Sequence, residues 1–229
     1  MGMRVIDLFC GAGGFSLGFE QAGFEILLGI DNWDLACESF KLNHPFASVW
    51  QKDIRTIAWK DLPEAEIIIG GTPCQEFTSL NLKRQPWRGM INVCHFLRLI
   101  DGAKPRYWLM ENVLGLKKYL PEYLPWFKLR ASDFGCQTNR YRLFVGNIPC
   151  PLHSYRNPFP RKTLVAIDER NVKVTSALYP LSDCEDLEFV GSPKDKRQLA
   201  ANAVPPKLAK AIAWQLIMEL KGMKGGTRE

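Results

Sequence analysis

The chain has 229 residues of ordinary globular composition, enough for one α/β domain with a small appendage. No apolar run reaches membrane-spanning length, and "MGMRVIDLFCG" lacks the basic and cleavage regions of a signal peptide, so a cytoplasmic protein with no membrane association is expected. Net charge is +6, which permits nucleic-acid binding without establishing it. Seven cysteines without any Cys-x-x-Cys pair argue against a disulfide framework and against a zinc site; reduced thiols and no metal are expected.

In chain order, "MRVIDLF" reads as a strand, and "CGAGGFSLGFEQAG" as a glycine loop opening a helix that stops at Gly23. "FEILLGID" reads as a second strand, "DLACESFKLNH" as a helix and "ASVWQKDI" as a third strand. "AEIIIGG", the helix "INVCHFLRLID" and "RYWLMENV" follow. Strands apolar on both faces and alternating with helices predict a doubly wound, mostly parallel Rossmann-like α/β sheet covered on both sides. "WFKLRASDFG" and "RYRLFVGNIP" read as two more strands joined by a tight turn. From Pro151 the periodicity decays into "PLHSYRNPFPRK", a basic, proline-rich loop or small irregular region. "VPPKLAKAIAWQLIMEL" is a helix started by proline, with Leu208, Ile212, Leu216 and Leu220 in one apolar row.

In an open α/β sheet, ligands bind beyond the carboxyl ends of the strands. The loop there is Gly11-Ala12-Gly13-Gly14, and Ser16 breaks the Gly-x-Gly-x-x-Gly fingerprint of dinucleotide sites. Asp31, ending the second strand, is placed to accept both ribose hydroxyls, and Asp53, after the third, to face an adenine amino group. An adenosine without a pyrophosphate suits S-adenosyl-L-methionine; a plain glycine turn with surface acids explains the same residues as well.

"IIIGGTPCQEF" puts a thiol at the mouth of a buried strand. Cys74 is either core filler or a nucleophile. Its neighbours weigh on the choice: Glu111 ends the next strand, and Arg140 and Arg142, two apart, share one face of a later one.

"DLFCGAGGFSLGFEQAGF", "GGTPCQEF", "ENV", "NRYRLFVG" and "LAANAVPP", in this order, resemble the DNA (cytosine-5)-methyltransferase family from Met3 to about Leu220. The resemblance implies Cys74 as the nucleophile that adds to carbon-6 of cytosine, and Glu111 as the acid at ring nitrogen 3. Arg140 and Arg142 would hold the carbonyl edge and help keep Cys74 ionised. It also implies a cofactor pocket of Phe9, Gly11, Ala12, Gly13, Gly14, Asp31, Asn32, Asp53, Ile54, Pro73, Asn202 and Ala203. Substrate contacts are expected from Gln75, Asn112, Lys83, Arg84, Arg88, Arg156 and Arg161. Residues 1–150 would form the S-adenosylmethionine-binding catalytic domain and 151–192 a reduced target-recognition region. Residues 193–229 would be a C-terminal segment whose helix returns to the catalytic domain.

Several positions depart from the family pattern. Thr138 stands where the family has glutamine, with Gln137 one place early, and Ala201 replaces a glycine. The "LGLKKYLPEYLP" link is short enough for a helix to be missing. Expected partners are double-stranded DNA and a cognate restriction endonuclease, with a monomeric chain. A tRNA cytosine-5 methyltransferase of the same fold and an inactive binding protein are the competing readings.

Overall fold

The computed structural model describes residues 2–78, 81–151 and 183–222. β1 (Arg4–Leu8), β2 (Glu25–Asp31), β3 (Ser48–Gln51), β4 (Ile67–Gly71), β5 (Tyr107–Asn112), β6 (Trp126–Arg130) and β7 (Tyr141–Gly146) form one sheet in the order β3-β2-β1-β4-β5-β7-β6. β1 to β5 are parallel, and β7 runs antiparallel to both β5 and β6. Strand order reverses between β2 and β4 around β1, which opens a crevice at the carboxyl ends of β1 and β4.

Alternation along the strands divides two apolar layers. Ile67 and Ile69 pack with Phe15, Phe19, Ile212 and Leu216, whereas Ile68 packs with Val93, Phe96 and Leu99. The first layer holds α1 (Gly14–Glu20), α2 (Asp34–Asn43) and the C-terminal α5 (Pro206–Leu220); the second is covered by α3 (Pro86–Ala103). The apolar row read in the terminal helix is buried at Leu208, Ile212 and Leu216, with Leu220 half-buried at its edge.

β6 and β7 are joined not by a tight turn but by a 3-10 turn at Ala131–Phe134 and a further loop. "SPKD" begins a helix the periodicity did not reveal, α4 (Pro193–Asn202). Its signal is a capping box: the Ser192 N–H donates to the Asp195 carboxylate at 3.0 Å, and the Ser192 hydroxyl accepts the Asp195 N–H. Between β5 and β6 the described chain makes only a 3-10 turn, Leu114–Tyr119, as the short link foretold.

α1 and α5 touch at Gly18, where an added Cβ would stand 2.4 Å from the Ala209 Cβ and 2.5 Å from the Lys210 nitrogen. Gly18→Ala should therefore lower stability by about 1–3 kcal/mol despite alanine's better helix propensity, because both helices are backbone-limited there. Urea unfolding of the two proteins measures this directly; an unchanged midpoint would mean that the helices separate freely.

Candidate active site

β1 leads into the glycine loop through backbone of an uncommon kind: Phe9 (φ 62°), Gly11 (φ 54°) and Gly13 (φ 91°) are all left-handed. A phenylalanine there is a strained residue, and Phe9 lines both cavities at the strand ends. One cavity, of about 230 Å³, is bounded by Gly11, Gly14, Asp31, Asn32, Pro73, Cys74, Gln75, Glu111, Arg142, Asn202 and Ala203. The other, of about 450 Å³, shares Asp31, Asn32 and Pro73 and adds Asp53, Ile54, Arg55 and Arg88. Ala12 and Gly13, though within the loop and expected in the cofactor pocket, line neither.

The two aspartates predicted to hold an adenosine are already engaged. Asp31 accepts the Gly11 N–H at 2.9 Å and the Trp33 N–H at 3.0 Å. Burial pushes its carboxyl up and these backbone donors oppose the shift. Two carboxylate oxygens offer about four acceptor sites, so capacity for ribose hydroxyls remains. Asp53 is paired with Arg55, Nε to Oδ2 at 2.9 Å, which lowers its pKa. It still reaches the larger cavity.

Cys74 follows β4, and its carbonyl accepts the N–H groups of Phe77 and Thr78 in the next turn. Glu111 lies beside Gly71 in the β4–β5 register, so the adjacent strand ends deliver both groups to one cavity. From the antiparallel β7 comes Arg142, whose Nε is 2.8 Å from Glu111 Oε1. Burial raises the Glu111 pKa against the opposing pull of Arg142 and Arg140. Burial and then Glu111 push the Cys74 thiol up, and Arg142 and Arg140 pull it down without prevailing. The arginines thus act in the expected direction, toward the thiolate, but burial and Glu111 outweigh them.

Other predicted residues take different places. Arg140 donates to the Ala201 carbonyl at 3.4 Å and borders a smaller crevice rather than the main cavity. Asn112 is buried: its amide nitrogen donates to the Thr72 carbonyl and hydroxyl, and its oxygen accepts the Val113 N–H. It ties the loops after β4 and β5 and does not line the cavity, contrary to its reading as a substrate contact. Lys83 is exposed, Arg84 reaches the Thr78 carbonyl, and Arg88 lies over Trp87. Arg156 and Arg161 lie outside the described residues. Among the described residues no cluster of three His, Cys, Asp or Glu side chains could hold a metal.

The sequence reading missed three supports. Asp7, fully buried, accepts the Ser16 hydroxyl at 2.7 Å, and its other oxygen has no partner. Asp183 accepts the N–H groups of Gln137 at 2.5 Å and Thr138 at 3.0 Å, in the loop that delivers Arg140 and Arg142. Asn43 and His44 touch the glycine loop from behind.

Residues 3–172 match the model of the C-5 cytosine-specific DNA methylase family. The chain belongs to that family. Among its relatives, the Type II methyltransferase M.XorII of Xanthomonas oryzae pv. oryzae is 33% identical over 186 residues, 69% of this chain and 44% of the relative. M.FnuDI of Fusobacterium nucleatum is 36% identical over 176 residues, 69% and 50% of the two chains. A solved structure described as a DNA modification methyltransferase encoded within a prophage (E. coli) aligns with TM-score 0.53 and 29% identity. It covers 63% of this chain and 46% of its own. The chain spans about half the length of these relatives. The Rossmann-like sheet with its reversed β7 is thus the methylase fold.

Burial raises Asp7 from 3.8 to about 7, with the Ser16 hydroxyl opposing. Since its folded pKa lies above the unfolded one, the native state binds the proton more tightly, and stability from this group is full below about pH 4. It falls by up to about 1.4 kcal/mol per pH unit as pH rises toward 7, then levels. Asp7→Asn should remove that slope, so its stability relative to wild type should improve from pH 4 to 7. Parallel denaturation curves for the two proteins across this range would exclude the effect.

Proposed function

We propose that this chain transfers a methyl group from S-adenosyl-L-methionine to carbon-5 of a cytosine flipped out of duplex DNA, through a covalent Cys74 adduct. The observation that carries the reading is the convergence of Cys74, Glu111 and Arg142 on the cavity that also contains Asp31 and the glycine loop. The cofactor fits that end: the loop brings backbone close, and Asp31 retains acceptor sites. When bound, it supplies an electrophilic methyl group.

The protein's part follows from the chemistry of the base. Carbon-5 of cytosine is a weak nucleophile until a thiolate adds to carbon-6. Cys74 releases its proton to solvent and forms that sulfur–carbon bond, while protonated Glu111 donates to ring nitrogen 3 and stabilises the charge developing there. Arg142 and Arg140 supply positive charge beside both groups. After methyl transfer a water molecule takes the carbon-5 proton, the electron pair of that bond re-forms the 5,6 double bond and expels the Cys74 thiolate, and the proton at ring nitrogen 3 returns to Glu111. Carbon-6 is hidden in a duplex, so the nucleotide has to be extruded first. The exposed basic residues Lys83, Arg84 and Arg88, in the segment that follows Cys74, would grip phosphates.

Tritium transfer from labelled S-adenosylmethionine to duplex DNA, and not to tRNA, is the expected result; label in tRNA alone would overturn the DNA reading. Cys74→Ser should abolish transfer, and 5-fluorocytosine DNA should trap a covalent complex with wild type only. Glu111→Gln should slow single turnover about 10²–10⁴-fold while cofactor affinity changes little. A serine variant with substantial turnover would rule out the thiol mechanism.

A further inference from the structure

Asn43 and His44, at the end of α2, reach the glycine loop from the side away from the cavity. Asn43 Nδ2 donates to the Ala12 carbonyl at 2.8 Å and to the Glu188 carbonyl at 2.9 Å, and its Oδ1 accepts the Glu188 N–H at 2.8 Å. His44 Nε2 lies 3.0 Å from the Gly13 carbonyl and Nδ1 lies 2.9 Å from the Glu20 carboxylate. The Gly13 carbonyl only accepts, so the tie to the loop is made by an Nε2 N–H. The approach is close, for a Cβ on Gly13 would stand 2.3 Å from His44 Nε2. Two consecutive loop carbonyls are therefore tied by two consecutive side chains.

We propose that Asn43 and His44 are positioning residues for methyl-donor binding, fixing the glycine loop from behind. Asn43 also registers the loop against the segment around Glu188. The proposal rests on the reading that this loop holds the cofactor. Its physical basis is entropic: a loop with two glycines at positive φ has much freedom to lose, and ordering it beforehand removes that cost from binding. Neither residue lines either cavity, so their removal acts through the loop and not through a lost ligand contact.

Ser39 provides the control. Its hydroxyl, on the same helix, accepts the Val190 N–H at 3.0 Å, so it docks the same segment without touching the loop. Calorimetry on the full chain with S-adenosylhomocysteine compares wild type with Asn43→Asp, His44→Phe, His44→Gln and Ser39→Ala. Asn43→Asp sets a carboxylate against two carbonyls, and His44→Phe keeps volume without donors. Both should bind about ten-fold more weakly or worse, by the loss of preorganisation. His44→Gln, with one donor near the Nε2 position, should recover part of the loss, and Ser39→Ala should match wild type. With methyl-transfer assays, KM for the cofactor should rise more than kcat falls. Equal weakening by Ser39→Ala and Asn43→Asp would show general docking and overturn the proposal, as would unchanged affinity in Asn43→Asp and His44→Phe. Absence of binding by wild type would instead overturn the cofactor reading, and the proposal with it.

Discussion

The reversed direction of β7 is what the rest of the site depends on. Glu111 of β5 pairs across the sheet with Phe144, and because the two strands are antiparallel, the start of β7 lies at the end of β5. Arg142 is thereby delivered to the edge where β1, β4 and β5 also end, and meets Glu111 at 2.8 Å. Six residues of strand span about 20 Å, so in a parallel β7 the same arginine would emerge at the far side of the sheet. No loop rearrangement would restore it.

That edge is electrostatically expensive. Asp7, Asp31, Glu111 and Cys74 all border one cavity, and burial pushes every one toward its protonated form. Arg142 of β7 and Arg140 just before it oppose the shift at Glu111 and Cys74, while Asp7 and Asp31 have only hydroxyl or backbone donors. The cavity thus has two ends of different character. One is braced by backbone and suits a neutral, hydroxyl-rich ligand end; the other holds a thiol beside an ion pair and suits proton movement.

Much of this was legible because it is carried by strand ends. Apolar runs marked the strands, and Asp31, Cys74 and Glu111, at or just past strand ends, stood out by position before the family resemblance gave Cys74 and Glu111 their roles. The remainder depends on contacts that no local pattern encodes. Asn43 and His44 act through backbone carbonyls on another element, and Asp183 acts through backbone N–H groups 45 and 46 residues away. The pull of the arginines on Cys74 can be guessed from sequence, whereas the depth of burial that opposes it cannot. α4 differs: Ser192 and Asp195 spell a capping box, but a helix with only Leu199 and Ala200 buried has too thin an apolar stripe to announce itself.

The Glu111–Arg142 pair bears on how the proposed reaction begins. Each partner satisfies the other in a buried place where an unpaired charge would be costly. Ring nitrogen 3 and the carbonyl oxygen of cytosine are two acceptors on one edge. A carboxyl group that has taken up a proton can donate to the first, and a guanidinium released from it can donate to the second. The base edge then replaces the ion pair donor for donor, and neither side chain is left unsatisfied at any stage. Burial favours this exchange, because the raised Glu111 pKa lowers the cost of the proton it must take up. A thymine offers the same carbonyl but presents an N–H at position 3, which would meet the acid's own proton. In the proposed reaction the same pair would therefore accept cytosine and resist thymine.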